Sequence, residues 1–253
     1  LLHAAEVVVD SDELAVLAAA LWQADYAQLP VVPLAGGALH WVEWHYADEF
    51  ASAHRRDMVV RHALGASLPT AGVGCAFRVE ALRAVATAEG PFEAACLTED
   101  YELGVRLSAL GCRGCFLRVT GAEGRLIASR GCFPAGFRCS VRQKARWIRG
   151  IALEGWDRLG WPQRERQSLT ARLIGWWMLW RDRRAPLAAL ATILAYVALL
   201  CGGTVWLAGG SIAGVPGMRV LLLANVPLML WRLLCRAWAT GSLYGWRQAL
   251  LSI

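Results

Sequence analysis

APLAALATILAYVALLCGGTVWLAGGSIAGVPGM, residues 185–218, holds no Asp, Glu, Lys or Arg. A run of that length exceeds the roughly 20 apolar residues that a helix needs to cross a bilayer core. We place a span near 186–207. The cluster GGSIAGVPG then turns the chain, and a second apolar run near 216–234 follows, with Arg219 at one end and Arg232 and Arg236 at the other. RDRR at 181–184 and the Arg232/Arg236 pair fall on the same side of this hairpin, so by the positive-inside bias both ends face the cytoplasm. Two shorter segments, 169–180 and 243–253, carry Trp or Tyr beside Arg and read as interfacial helices. The membrane region thus occupies 169–253.

Upstream of it, short apolar runs alternate with amphipathic stretches through residue 134, the pattern of an α/β domain. Expected strands are 6–9, 29–34, 72–77 and 114–119. Expected helices are 13–24, 42–63, 79–88 and 99–110, the last two closing near Gly90 and Gly111. An Arg-rich amphipathic helix covers 139–150, within a connector at 135–168 that Gly155, Gly160 and Pro162 interrupt.

The 253 residues are 57% hydrophobic and 18% charged, too apolar for a disordered chain or an ordinary soluble domain. The net charge of +6 does not signal nucleic acid, because the basic residues are spread along the chain and all but Lys144 are Arg. From Gln167 onward the one acid is Asp182 among eight arginines, a balance suited to an anionic membrane surface. Cys112 and Cys115 invite a zinc reading with Cys132 and Cys139, but the first pair lies in an apolar strand-like run and reads better as small buried hydrophobes. With no secretory signal visible, the hydrophilic part is placed in a reducing cytoplasm. The opening LLHAAEVVV reads as a buried strand, so the start of the domain is expected to lie before Leu1.

Chemistry is expected at two places. Thr98-Glu99-Asp100 opens a helix whose apolar face is Leu103, Leu107 and Leu110, with Thr98 as N-cap. Carboxylates there either complement the helix dipole or face a cleft, where one can take a proton from an attacking hydroxyl. Gln143, Arg146 and Trp147 form Q-x-x-R-W on the amphipathic helix; amide and guanidinium can hold diphosphate oxygens, and an indole can stack on a sugar or base. An interfacial helix with Trp and Arg among headgroups accounts for the same pattern. The small residues of Gly72-Val73-Gly74-Cys75 let backbone approach a ligand at Gly74, or simply enter a strand; the segment is no dinucleotide fingerprint. His40, His45, His54 and His62, beside Glu43 and Glu49, are spaced to bind a metal on a helix but read first as satisfied surface groups.

Taken in order, GVGCAFRVEAL (72–82), LTEDYELGVRLSALG (97–111), VRQKARWIRG (141–150) and YGWRQALLSI (244–253) resemble the processive family 2 glycosyltransferases, which include cellulose and hyaluronan synthases. Within them the segments are similar to the bacterial phage adsorption protein B subgroup. The resemblance covers nearly the whole chain. It implies the C-terminal portion of a GT-A domain, a mixed sheet flanked by helices, above transmembrane helices in the bacterial inner membrane. It implies that Asp100 is the general base, with Glu99 and Thr98 beside it, and that Gln143, Arg146 and Trp147 lie over donor diphosphate and acceptor. The partners implied are a nucleotide sugar, a polysaccharide or lipid-linked acceptor, the bilayer and an envelope export partner; the outcome implied is inversion.

The resemblance also implies Mg²⁺ or Mn²⁺ on a D-x-D-like pair. Where the subgroup has H-D-A-E-D, this sequence has His3-Ala4-Ala5-Glu6-Val7, which leaves Glu6 as the metal candidate. Asp10-Ser11-Asp12 satisfies D-x-D literally but falls at a helix start, so Asp10 and Asp12 read first as caps and second as metal ligands. Ala4 and Val7 support a contrasting expectation, a catalytically impaired membrane scaffold or phage-receptor component built on a transferase domain.

Overall fold

The structure, a computed structural model, describes residues 7–36, 40–88, 90–93, 95–161, 167–209 and 218–251. The chain opens with β1 (Val7–Val8), α1 (Glu13–Ala20), β2 (Tyr26–Gln28) and β3 (Val31–Leu34). The expected strand 29–34 is split. Pro30 has no N–H to give to a ladder, and the chain changes sheets there. The Leu29 amide donates to the Gly74 carbonyl (2.8 Å) in the first sheet, while the Pro30 carbonyl accepts from the Ser129 amide (3.0 Å) in the second.

The stretch expected as one helix at 42–63 is α2 (Trp41–Ser52), a π-helical turn at Ala53–Asp57 and α3 (Met58–Ala63). Then come β4 (Cys75–Phe77), α4 (Val79–Val85), α5 (Glu99–Ala109), β5 (Gly114–Phe116) and β6 (Ser129–Cys132). In one sheet β2 lies between antiparallel β4 and parallel β5; in the other β6 lies between antiparallel β1 and parallel β3. The sheets are mixed, as a GT-A domain requires.

Alternation along β2 sends Tyr26 and Ala27 to opposite faces. Tyr26 joins Leu68, Leu103, Leu107 and Phe116 in one core layer, whereas Ala27 joins Leu17, Leu29, Ala76 and Ile127 in the other. Leu103 and Leu107 thus bury α5 as its periodicity predicts. Leu110, the third residue of that stripe, is instead 60% exposed because it stands at the C-cap, where the chain turns away through Gly111 at φ 90°. Gly90 closes no helix, since α4 ends at Val85.

The C-terminal part is helical: α6 (Phe137–Ile148), a π-helical turn at Arg149–Glu154, α7 (Gly155–Leu159), α8 (Leu169–Arg183), α9 (Ala185–Leu207), α10 (Met218–Tyr244) and α11 (Trp246–Leu251). By length and hydropathy α9 is able to cross a membrane: 23 residues with mean hydropathy 2.1. Its side chains are largely exposed and apolar all round, a surface that lipid accommodates and water does not. Helix α10 continues past the expected end at Leu234, because its last turns belong to the body of the protein. Ala237, Ala239 and Thr240 are buried; Thr240 donates to the Asp48 carboxylate on α2, with which Arg236 also pairs.

Candidate active site

Helix α5 is laid down by the loop before β4. Gly104 packs where any side chain would strike the backbone of Leu68 to Thr70, and the Thr70 hydroxyl donates to the Asp100 carbonyl (2.7 Å). The loop itself is shaped by Gln28, which is fully buried at the end of β2. Its amide nitrogen donates to the carbonyls of Leu29 (2.8 Å) and Val73 (2.8 Å), and its amide oxygen accepts from the Ala71 amide (2.9 Å). Gly72 and Gly74 are left-handed, at φ 69° and 62°. A Cβ on Gly72 would stand 2.8 Å from Asp100 Oδ2, and one on Gly74 would collide with the Ser129 hydroxyl. Gly72 is therefore the glycine that faces Asp100, while Gly74 makes room for a buried pair in which Ser129 donates to Glu13 (2.8 Å).

Against this floor Asp100 is partly buried, its Oδ1 accepting from the Tyr101 amide (2.7 Å). Burial, with Glu99 adding to it, pushes its pKa up to about 6 against the opposing pull of the Tyr101 amide and the Arg146 guanidinium. A carboxyl poised there is matched to proton removal near neutral pH. Glu99 is exposed in the same turn. Thr98 holds the N-cap position, but its side chain does not cap: it is buried, and its Oγ1 has no hydrogen-bond partner. Gly150, just past α6, covers it, its backbone so close that a Cβ there would lie 2.6 Å from Thr98 Oγ1.

That contact sets the end of α6 beside the first turn of α5. Arg146 is exposed, with its charge felt at Asp100; Gln143 is partly buried with Oε1 unpartnered; Trp147 meets Tyr46, Phe50 and Phe133 edge-on at centroid distances of 6.0, 6.2 and 6.4 Å. On the opposite face of α6, Phe137, Val141, Lys144 and Ile148 line a cavity of about 700 Å³ shared with Trp41 and Arg236. The largest cavity among those described is thus apolar and behind the motif helix, not at the Asp100 carboxylate.

The metal candidates fare differently. Glu6 lies outside the described residues. Asp10 accepts from Arg130 (3.1 Å), an ion pair that occupies the carboxylate a metal would need. Asp12 stands at the N-cap of α1 without a side-chain cap bond and is exposed, so the cap reading holds in position but not in hydrogen bonding. Among the described residues no three His, Cys, Asp or Glu side chains form a metal set, and Glu6 stands outside them.

One histidine departs from expectation. His54, in the π-helical turn, is buried, its Nδ1 3.1 Å from both Val31 N and Val31 O, and desolvation lowers its pKa to about 4. Sequence reading gives Gln28 no catalytic role, selects Gly74 where the structure sets Gly72 against Asp100, and does not single out Gly150. The spaced Gly72/Gly74 pair and a glycine ending an amphipathic helix were the available signals for two of them.

Comparison with known proteins supplies the family. Residues 1–209 match glycosyl transferase family group 2. Bacteriophage adsorption protein B of Escherichia coli K12 and bacteriophage N4 adsorption protein B of Escherichia coli O157:H7 are each 32% identical over 281 aligned positions, which take in all of this chain and 37% of each relative. The chain spans little more than a third of the length of these curated relatives. On this match and identity, the chain belongs to glycosyl transferase family group 2.

Proposed function

We propose that this chain is the catalytic part of a membrane-bound inverting glycosyltransferase that moves a sugar from a nucleotide-diphosphate donor to a polysaccharide or lipid-linked acceptor. The observation that carries this reading is Asp100 itself, a carboxyl raised to about 6 by burial, under the influence of Arg146 and beside the Thr98–Gly150 contact. Asp100 takes the proton of the acceptor hydroxyl while that oxygen bonds to the anomeric carbon. The bond from that carbon to the donor diphosphate breaks on the opposite face, which inverts the centre. Arg146 and the Gln143 amide nitrogen donate to the departing diphosphate, and Trp147, braced by its aromatic neighbours, offers an edge or face to a sugar. The metal expected from the family would depend on Glu6.

An inner-membrane location with the α/β domain cytoplasmic is supported by α9, by the exposed Arg184 before it, and by Trp177 and Trp180 on α8. The relatives' names tie them to bacteriophage adsorption, which suits an envelope setting. The apolar cavity behind α6 favours a lipid-linked acceptor.

Membranes carrying the chain, offered a panel of UDP- and GDP-sugars, are expected to release nucleotide from one of them. Asp100→Asn is expected to slow that release by about 10²–10⁴-fold. Full release by the Asn variant removes Asp100 as base; silence of the wild type with every donor supports the scaffold alternative.

A further inference from the structure

Asp182 is the one acid after Gln167, and RDRR surrounds it with arginines. Its carboxylate nevertheless turns inward, away from its own helix. Arg61 of α3 grips it through two hydrogen bonds, Nη1 to Oδ1 at 3.0 Å and Nη2 to Oδ2 at 2.7 Å. The Tyr101 hydroxyl donates to Oδ2 at 2.7 Å. Arg61 is itself fixed, its Nε donating to the Ser67 carbonyl at 2.6 Å, and Arg61 and Tyr101 are only 6% and 7% exposed. Three elements, α3, α5 and α8, therefore meet at one carboxylate.

A buried ion pair contributes little net stability, since desolvating two charges offsets most of their attraction; what it contributes is direction. A two-pronged guanidinium grip fixes Asp182 in position and orientation, and Asp182 in turn fixes the far end of the Tyr101 side chain. The near end of that residue is the amide that donates to Asp100 Oδ1. A shift of the Tyr101 ring is thus a shift of the group that orients Asp100.

We propose that Asp182, set by Arg61, is a positioning residue that fixes the first turn of α5 through the Tyr101 hydroxyl and so holds Asp100 in its working orientation. The proposal rests on Asp100 being the base. It also gives α8, the Trp-rich helix assigned to the membrane surface, a direct mechanical link to the reacting carboxylate. The ionisable groups acting on Asp100 are Glu99 from its own helix, Arg146 from α6 and Cys75 from β4, whose thiol Asp100 helps push up to about 12. None of them is altered by the test.

The full chain in membranes is compared with Asp182→Asn and Tyr101→Phe, using whichever UDP- or GDP-sugar the wild type consumes. Each variant is expected to lose at least tenfold in kcat with donor KM within twofold. The rising limb of the pH profile is expected to move to higher pH, because loosening the Tyr101 amide bond removes an influence that lowers the Asp100 pKa. Hydrogen exchange over residues 97–103 is expected to quicken while β2 and α6 stay unchanged. Unaltered kcat, or a loss of kcat with exchange raised throughout the chain and the pH limb in place, overturns the proposal and leaves Asp182 a simple staple. If the wild type releases no nucleotide, the base assignment falls; unchanged exchange over 97–103 then overturns the clamp on its own.

Discussion

Asp100 carries a stability signature as well as a chemical one. Its folded pKa of about 6 stands above the ordinary 3.8, so the fold disfavours the ionised form. Stability from this residue is full below about pH 4 and is lost as pH rises through about 6. Asp100→Asn is therefore expected to melt at a higher temperature than wild type at pH 7.5, with the advantage gone near pH 4; calorimetry at the two pH values checks it. Activity should show the mirror image, rising through a midpoint near pH 6 as the base ionises. Gly72→Ala adds strain of about 1–3 kcal/mol for a left-handed backbone and sets a methyl against the same carboxylate. It is expected to lower nucleotide release more than tenfold, whereas Gly65→Ala, equally left-handed but with open space around it, affects stability alone.

Elements with an uninterrupted period were legible in the sequence, and those whose identity depends on tertiary partners were not. The stripe Leu103/Leu107, the uncharged run of α9 and the amphipathic α6 announce themselves. Strand β6, Ser-Arg-Gly-Cys, has no β-branched residue and exists because β1 and β3 flank it. The split at Pro30 was written in the proline but hidden by the apolar residues around it. Of the candidate site, the two motifs were legible, because acids opening a helix and a Q-x-x-R-W spacing stand out as side-chain patterns. Gln28 was not, because its role lies entirely in the backbone of a loop more than forty residues away. Gln28→Leu keeps the volume but leaves the Ala71 amide and two carbonyls without partners, and should cost about 1–3 kcal/mol and several-fold in activity, measured by denaturant unfolding and nucleotide release. The π-helical turn holds His54 neutral and buried. Its pKa, lowered from 6.5 to about 4, contributes stability that is complete above about pH 6.5 and lost as pH falls toward 4. His54→Phe is expected to flatten that acid limb of the unfolding curve.

At the scale of the molecule, a mixed-sheet domain is joined to an exposed apolar helix by α8, and α10 returns from beyond α9 to pack on α2. A chain so built should sediment with membranes and resist extraction at alkaline pH. Deleting residues 185–207 is expected to release the α/β domain or leave it aggregated through the exposed flank of α10, a difference that ultracentrifugation reads. Helix α6 lies at the middle of this arrangement, with the charge of Arg146 acting on Asp100, Gly150 just past its end against Thr98, and Phe137, Val141 and Ile148 toward the apolar cavity. It stands as a partition wall: should the proposed transfer hold, a nucleotide and a greasy anchor would be kept on separate sides of one helix.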